Sequence, residues 1–96
     1  MIIKRTNFFI KWFEKLTDNT QTYLKTYIYR LMEGNFSNCK SVGDGIHELK
    51  INYKSGYRVY FTNKNNIIII LLIGGDKSTQ QKDIERAKKI KSVLEV

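Results

Sequence analysis

Two stretches in the middle of the chain alternate apolar and polar residues with a period of two, the mark of strands with one buried and one exposed face. In residues 46–53, Leu49, Ile51 and Tyr53 point one way, and Glu48, Lys50 and Asn52 point the other. In residues 57–62, Tyr57, Val59 and Phe61 form the apolar set, leaving Arg58, Tyr60 and Thr62 opposite. Lys54-Ser55-Gly56 between them reads as the turn of a hairpin. If the two apolar sets share a core, as register demands, Lys50, Arg58 and Tyr60 come together on the other face. Two cations and a phenol on a rigid sheet make a candidate anion site.

Residues 66–73 have a different pattern. Five isoleucines and two leucines run on without polar alternation, which predicts an inner strand covered from both sides, with Gly74-Gly75 as its stop. Asp76-Lys77-Ser78 then emerge at the strand's end, where a side chain can join the polar face of the hairpin.

Upstream, Ile2–Arg5 is short and β-branched, a first strand, and Thr6 or Asn7 can cap a helix beginning there. Phe8, Phe9, Trp12, Phe13 and Leu16 recur at the spacing of an amphipathic helix, with Lys11, Glu14 and Lys15 on its wet side. Asp18-Asn19-Thr20 breaks and restarts the helix. The second helix carries Leu24, Ile28 and Leu31 on one face and ends at Gly34. Two helices so joined form an antiparallel hairpin that needs a sheet to cover. Residues 39–42 predict a short strand, and Gly43-Asp44-Gly45 a turn into the central hairpin. Ser78 or Thr79 can cap a last helix over residues 80–94, whose thin stripe of Ile84, Ala87, Ile90 and Leu94 is surrounded by Arg86, Lys88, Lys89 and Lys91. The order predicts a single α+β domain over residues 1–96: an N-terminal strand, a two-helix hairpin, a mostly antiparallel sheet of four to five strands and a C-terminal helix.

Composition narrows the chemistry. The 96 residues carry a net charge of +8, with 42% hydrophobic residues and no proline, which fits one folded domain and not a disordered chain. The charge is spread as +3, +3 and +2 over residues 1–33, 34–75 and 76–96, so it belongs to the fold and not to a tail. Such a basic globule favours polyanions or an acidic protein partner, with solubility alone as the plainer reading. Cys39 and His47 are the sole cysteine and histidine, which excludes an internal disulfide and a cysteine metal cluster and leaves no metal site to expect. The apolar run is too short to span a bilayer and no signal pattern is visible, so a cytoplasmic, membrane-free protein without a cofactor is expected.

Several motifs together resemble a known superfamily. Phe9-x-x-Trp12-Phe13-x-x-Leu16-x-Asp18, Arg30-Leu31-x-x-Gly34-Asn35-Phe36, Lys40-x-Val42-Gly43-x-Gly45-Ile46-x-Glu48-Leu49-Lys50-Ile51, Gly56-Tyr57-Arg58-Val59-Tyr60-Phe61 and Gly74-Gly75-Asp76-Lys77-Ser78-Thr79-Gln80-x-x-Asp83-Ile84-x-x-Ala87 span nearly the whole chain. In this order they resemble the RelE/ParE toxins, and within them the HigB-like or phage Gp49-like addiction module killer proteins. The resemblance implies a RelE-like fold and the toxin half of a type II toxin–antitoxin pair. Its antitoxin would be a helix-turn-helix protein, joined with it in a hetero-oligomer. RelE- and HigB-like members cleave mRNA on the ribosome without a metal, whereas ParE-like members inhibit DNA gyrase, and the resemblance leaves both open beside a non-catalytic nucleic-acid-binding domain.

For the endoribonuclease reading, the resemblance implies Arg58 on the phosphate, Lys50 as electrostatic stabiliser or base, and Lys77 at the leaving group. Arg58 matches the arginine of the family's Gly-Tyr-Arg segment, and its planar fork suits two phosphate oxygens. Tyr60 would orient ribose or stack a base, with Glu48, Asp76 and His47 as further substrate contacts. Histidine is the residue type suited to acid–base work at neutral pH, which makes His47 a tempting base, but the alternation puts it on the Leu49 face, away from Lys50. HigB-type enzymes also carry a histidine or aspartate near the C-terminus. Asp76 is the only such candidate here, and Val93-Leu94-Glu95-Val96 offers neither histidine nor tyrosine.

Overall fold

The computed structural model describes residues 1–94; Glu95 and Val96, the end of the run without histidine or tyrosine, lie outside them. The elements are β1 (Ile2–Arg5), α1 (Asn7–Glu14), α2 (Asp18–Met32), β2 (Cys39–Gly43), β3 (Ile46–Ile51), β4 (Tyr57–Lys64), β5 (Ile68–Asp76) and α3 (Gln80–Leu94), with a 3-10 turn, Lys77–Thr79, before α3. They form one five-stranded sheet in the order β1-β5-β4-β3-β2. The strands β2 to β5 are antiparallel neighbours, and β1 lies parallel to β5. This is the predicted α+β architecture, with the isoleucine-rich strand inside the sheet.

Local chemistry explains the boundaries. Thr6 caps α1 by accepting a hydrogen bond from the Phe9 N–H at 3.0 Å, while its own hydroxyl donates to the Leu72 carbonyl at 2.6 Å. One residue thus starts the helix and ties it to β5. The break before α2 falls earlier than Asp18-Asn19-Thr20. Thr17 is the cap, and Asp18 already sits in the first turn, where a carboxylate favours the helix dipole. Asp76 caps the 3-10 turn that leads into α3, accepting from the Ser78 N–H at 2.8 Å.

Both faces of the sheet are covered. On one, Phe9 of α1 and Leu24, Ile28 and Leu31 of α2 pack on Leu49, Ile51, Val59, Phe61, Ile69 and Leu71. On the other, Ala87 and Ile90 of α3 pack on Ile46, Tyr60, Leu72 and Ile73. Leu72 and Ile73 share a face because the β4–β5 register slips between Tyr60 and Phe61, a bulge that resets the alternation.

Gly74-Gly75 does not stop β5, contrary to the expectation from sequence. The strand runs through both to Asp76 because each face needs space there. A Cβ on Gly74 would stand 2.2 Å from the Trp12 ring of α1, and one on Gly75 would stand 1.8 Å from Asp83 Oδ2 of α3. The glycines let both layers close onto one strand. No helix among the described residues is long and apolar enough to cross a membrane.

Candidate functional site

Lys50 and Arg58 oppose each other directly across β3 and β4, and Arg58 faces Gly75 on β5. Lys77 arrives from the 3-10 turn, whose backbone N–H donates to the Gly56 carbonyl at 3.2 Å and so pins that turn against the hairpin turn. The three side chains, with Asn52, Tyr53, Lys54, Ser55 and Gly56, line one cleft of about 430 Å³. Its lining holds Lys50, Lys54, Arg58 and Lys77 and no carboxylate. Among the described residues none of the three lysines forms an ion pair. An anion entering here meets several cations that nothing else neutralises.

Arg58 is the buried member, 7% exposed, whereas Lys50, Lys54 and Lys77 are exposed. Its Nη1 lies 3.8 Å from where a Cβ on Gly56 would be, and Gly56 has φ +91°, a conformation that side chains resist. Glycine at this turn is thus called for by the backbone, and a Cβ there would meet the guanidinium only at ordinary contact distance.

A buried guanidinium needs a counter-charge. Glu48, two residues from Lys50 on β3, supplies it: Glu48 Oε1 stands 3.7 Å from Arg58 Nε and 3.8 Å from Lys40 Nζ. The other oxygen, Oε2, accepts from the Tyr60 hydroxyl at 3.1 Å and from the Gln80 amide at 2.9 Å. Arg58 Nε itself makes no hydrogen bond. Alongside, the Thr79 hydroxyl donates to Asp83 at 2.6 Å, the carboxylate seated against Gly75. The first turn of α3 and the middle of the sheet are thus joined by a polar network, half-buried at Gln80 and fully buried at Glu48, that ends on Arg58.

The predicted site residues divide accordingly. Lys50, Arg58 and Lys77 are brought together. Tyr60 and Glu48 are not available to a substrate: they are 0% and 1% exposed, because α3 covers the face expected to be open. Burial, then the neighbouring Glu48 carboxylate, pushes the Tyr60 phenol far above its ordinary range, so it stays a donor. His47 lies on the opposite face of the sheet from Lys50, stacked on Phe61 at a centroid distance of 5.4 Å, and does not reach the cleft. Beside it, burial raises the Cys39 thiol to about 11, which removes it as a nucleophile near neutrality. Asp76 stands at the rim, in a recess with Ser55, Lys77 and Ser78, and is occupied in capping the 3-10 turn. Hydrogen bonds from the Ser78 hydroxyl and N–H hold its carboxyl below the usual range.

Reading the sequence for site residues missed Asn52, Tyr53 and Lys54 in the cleft and Gln80 and Asp83 in the network. The last two stand within the Gly74-to-Ala87 motif that carries the resemblance, the signal that could have found them. Tyr53 escaped because its packing on the core with Leu49 and Ile51, as the alternation predicts, gives no sign that it also lines the cleft from the turn beyond β3.

Comparison with known proteins adds to this geometry. The sequence profile of the family described as "Phage derived protein Gp49-like" matches residues 11–93. An uncharacterized protein of Haemophilus influenzae is 51% identical over 87 residues, covering 90% of this chain and 88% of that relative. Among solved structures, a mutant of the Escherichia coli toxin RelE in the free state aligns with a TM-score of 0.73 at 17% identity, over 93% of this chain and 96% of that one. A chain of the intact Escherichia coli RelBE toxin–antitoxin complex aligns with a TM-score of 0.63 at 17% identity, over 78% of this chain and 94% of that one. At these identities the likeness is one of fold.

Proposed function

The chain belongs to the phage-derived Gp49-like family and has the RelE fold, and from that premise we propose that it is the toxin of a toxin–antitoxin pair and acts as an endoribonuclease on mRNA at the ribosome. The observation that carries the reading is the convergence of Lys50, Arg58 and Lys77, from three separate elements, on one cleft without a carboxylate. The likeness to a chain of the RelBE complex supports an antitoxin partner, which the motifs lead us to expect as a helix-turn-helix protein.

The chemistry assigned to the cleft is attack of a ribose 2′-oxygen on the adjacent phosphorus, its hydroxyl proton passing to solvent water at the open cleft, with cleavage of the bond to the 5′-oxygen of the next nucleotide. A cyclic 2′,3′-phosphate and a free 5′-hydroxyl result. Charge builds on the non-bridging oxygens in the transition state, and fixed cations already in place stabilise it without reorganisation. Arg58, held from behind by Glu48, grips those oxygens with its fork. Lys50, directly across from it, neutralises the added charge, and Lys77 donates a proton to the departing 5′-oxygen. We assign Lys50 to stabilisation because that role asks for no change in its protonation.

Growth of cells carrying inducible copies tests the proposal. Arg58→Ala and Lys50→Ala should relieve growth arrest while the proteins fold and bind antitoxin, and 5′-end mapping should show cuts in mRNA with the parent chain only. Full toxicity in both variants, or loss of gyrase supercoiling with intact mRNA, would overturn it in favour of a ParE-like inhibitor. Normal growth with the parent chain would leave only a basic nucleic-acid-binding domain.

A further inference from the structure

The cationic cleft has one aromatic wall, and that wall is part of a larger array. Tyr53 stacks on Tyr23 of α2 with ring centroids 4.3 Å apart and planes at 24°. Tyr23 stacks in turn on Tyr27 at 5.7 Å and 29°, and Tyr57 of β4 stands on the other side of the series, 6.4 Å from Tyr53. Tyr27, Tyr53 and Tyr57 also pack on the core, but the core does not seal the array. Here Tyr23 remains 40% exposed and Tyr53 is half-buried where it lines the cleft beside Lys50, Arg58 and Lys77. The backbone under Tyr53 is fixed as well, since its N–H donates to the Ile51 carbonyl at 3.0 Å and its carbonyl accepts from the Gly56 N–H at 2.9 Å. Lys54 Nζ, 5.4 Å from the centre of the Tyr53 ring, adds positive charge at the same spot.

Flat rings beside three lysines without an ion pair and a guanidinium held from behind match one ligand chemistry: a charged backbone carrying unpaired bases. Cations take the phosphates, and a fixed aromatic surface takes the flanking base. A duplex keeps its bases stacked inside and cannot offer one to such a wall. We propose that Tyr53, braced by Tyr23, is the base-stacking residue of the cleft and that the protein binds single-stranded nucleic acid there in preference to duplex. The inference rests on the cleft being a phosphodiester site, and it moves to Tyr53 the stacking role that the sequence had offered to Tyr60.

The test is equilibrium binding of a short single-stranded oligodeoxynucleotide, which lacks the attacking hydroxyl, against an abasic strand of the same length and against the duplex. Cleavage plays no part in this readout, so it fails or holds separately from the growth and 5′-end experiments. The parent protein should bind the base-bearing strand about 5- to 150-fold tighter than the abasic one, the range that one stacked base supplies. Tyr53→Leu keeps an apolar contact with Tyr23 and Tyr57 but has no ring. It should lose that preference while binding the abasic strand as before. Tyr53→Trp, a larger ring, should retain the preference, and it serves as the deciding variant if Tyr53→Leu fails to fold. Equal binding of base-bearing and abasic strands by the parent protein would overturn the assignment. So would an unchanged preference in Tyr53→Leu, its disappearance in a folded Tyr53→Trp, or duplex binding as tight as single-strand binding.

Discussion

Arg58 and Glu48 meet on the diagonal between adjacent strands, Nε to Oε1 at 3.7 Å, with side chains 8% and 1% exposed. The carboxylate is the only buried counter-charge that the guanidinium has among the described residues. It also gathers the Tyr60 hydroxyl and the Gln80 amide on its other oxygen. Glu48→Ala therefore strands a buried cation, one buried donor and one half-buried donor at once. Removing one partner of such a pair costs about 3–5 kcal/mol. Urea denaturation should register a loss of that size with an unchanged slope, and a loss below about 1 kcal/mol would show that the network carries little of the stability.

The glycine pair of β5 should tolerate no side chain. Gly74→Ala drives a methyl into the Trp12 ring, and overpacking of this kind costs about 1–3 kcal/mol. Gly75→Ala displaces the Asp83 carboxylate and with it the bond from Thr79. The two variants should differ in their rescue: Trp12→Leu should recover most of the melting temperature lost in Gly74→Ala and none of that lost in Gly75→Ala. Equal rescue of both would contradict the opposite-face placement of the two residues.

Asp76 sets a pH dependence. Its carboxyl is held below the usual range in the fold, first by the Ser78 hydroxyl, so the folded state binds a proton less readily than the unfolded chain. The resulting stability is complete above the ordinary carboxylate range and is lost as pH falls through the depressed value. Asp76→Asn keeps an acceptor for the Ser78 N–H but does not titrate. It should flatten the acid limb of a melting-temperature profile, and an unaltered limb would place the acid sensitivity elsewhere.

Lys77 and Lys50 should reveal themselves through salt. Each phosphate neutralised on a single strand contributes about 0.7 to the slope of log affinity against log salt. Lys77→Ala should lower that slope by roughly this amount for an uncleavable strand, and Lys50→Ala likewise. Lys64→Ala, at the far end of β4 from the cleft, should leave it unchanged. A uniform effect of all three would mean that affinity tracks net charge and not this cleft.

Periodicity in the sequence revealed the hairpin, its register and the meeting of Lys50 with Arg58, because a period of two leaves one choice once the apolar face is known. It did not reveal which face meets water. Tyr60 and Glu48 read as surface residues because the stripe on the last helix, Ile84, Ala87 and Ile90, is thin and ringed by lysine and arginine. Yet Ala87 is small enough to let that helix lie close over the sheet and seal the polar row beneath it. The turn residues escaped for a related reason. Alternation placed Tyr53 on the core side with Leu49 and Ile51, where it does pack, but could not show that the turn beyond β3 also brings it and Lys54 to the cleft. The stop expected at Gly74-Gly75 came from reading glycine as punctuation, when here it makes room for Trp12 and Asp83.

The parallel pairing of β1 with β5 sets an order of events during synthesis. Ile2 sits opposite Ile68, so the first strand has no neighbour in the sheet until most of the polypeptide has been made. At translation speeds of about 5–20 residues per second, the intervening segment delays that partner by roughly 3–13 s. The hairpin of β3 and β4 is complete earlier and needs only a local loop to close. The basic cleft depends on Lys77, which comes after β5 in the chain, so its assembly is later still. A nascent chain arrested before β5 leaves the ribosome would expose residues 2–5 to protease and hold Arg58 without its wall, delaying any activity of the cleft until nearly the whole chain is out.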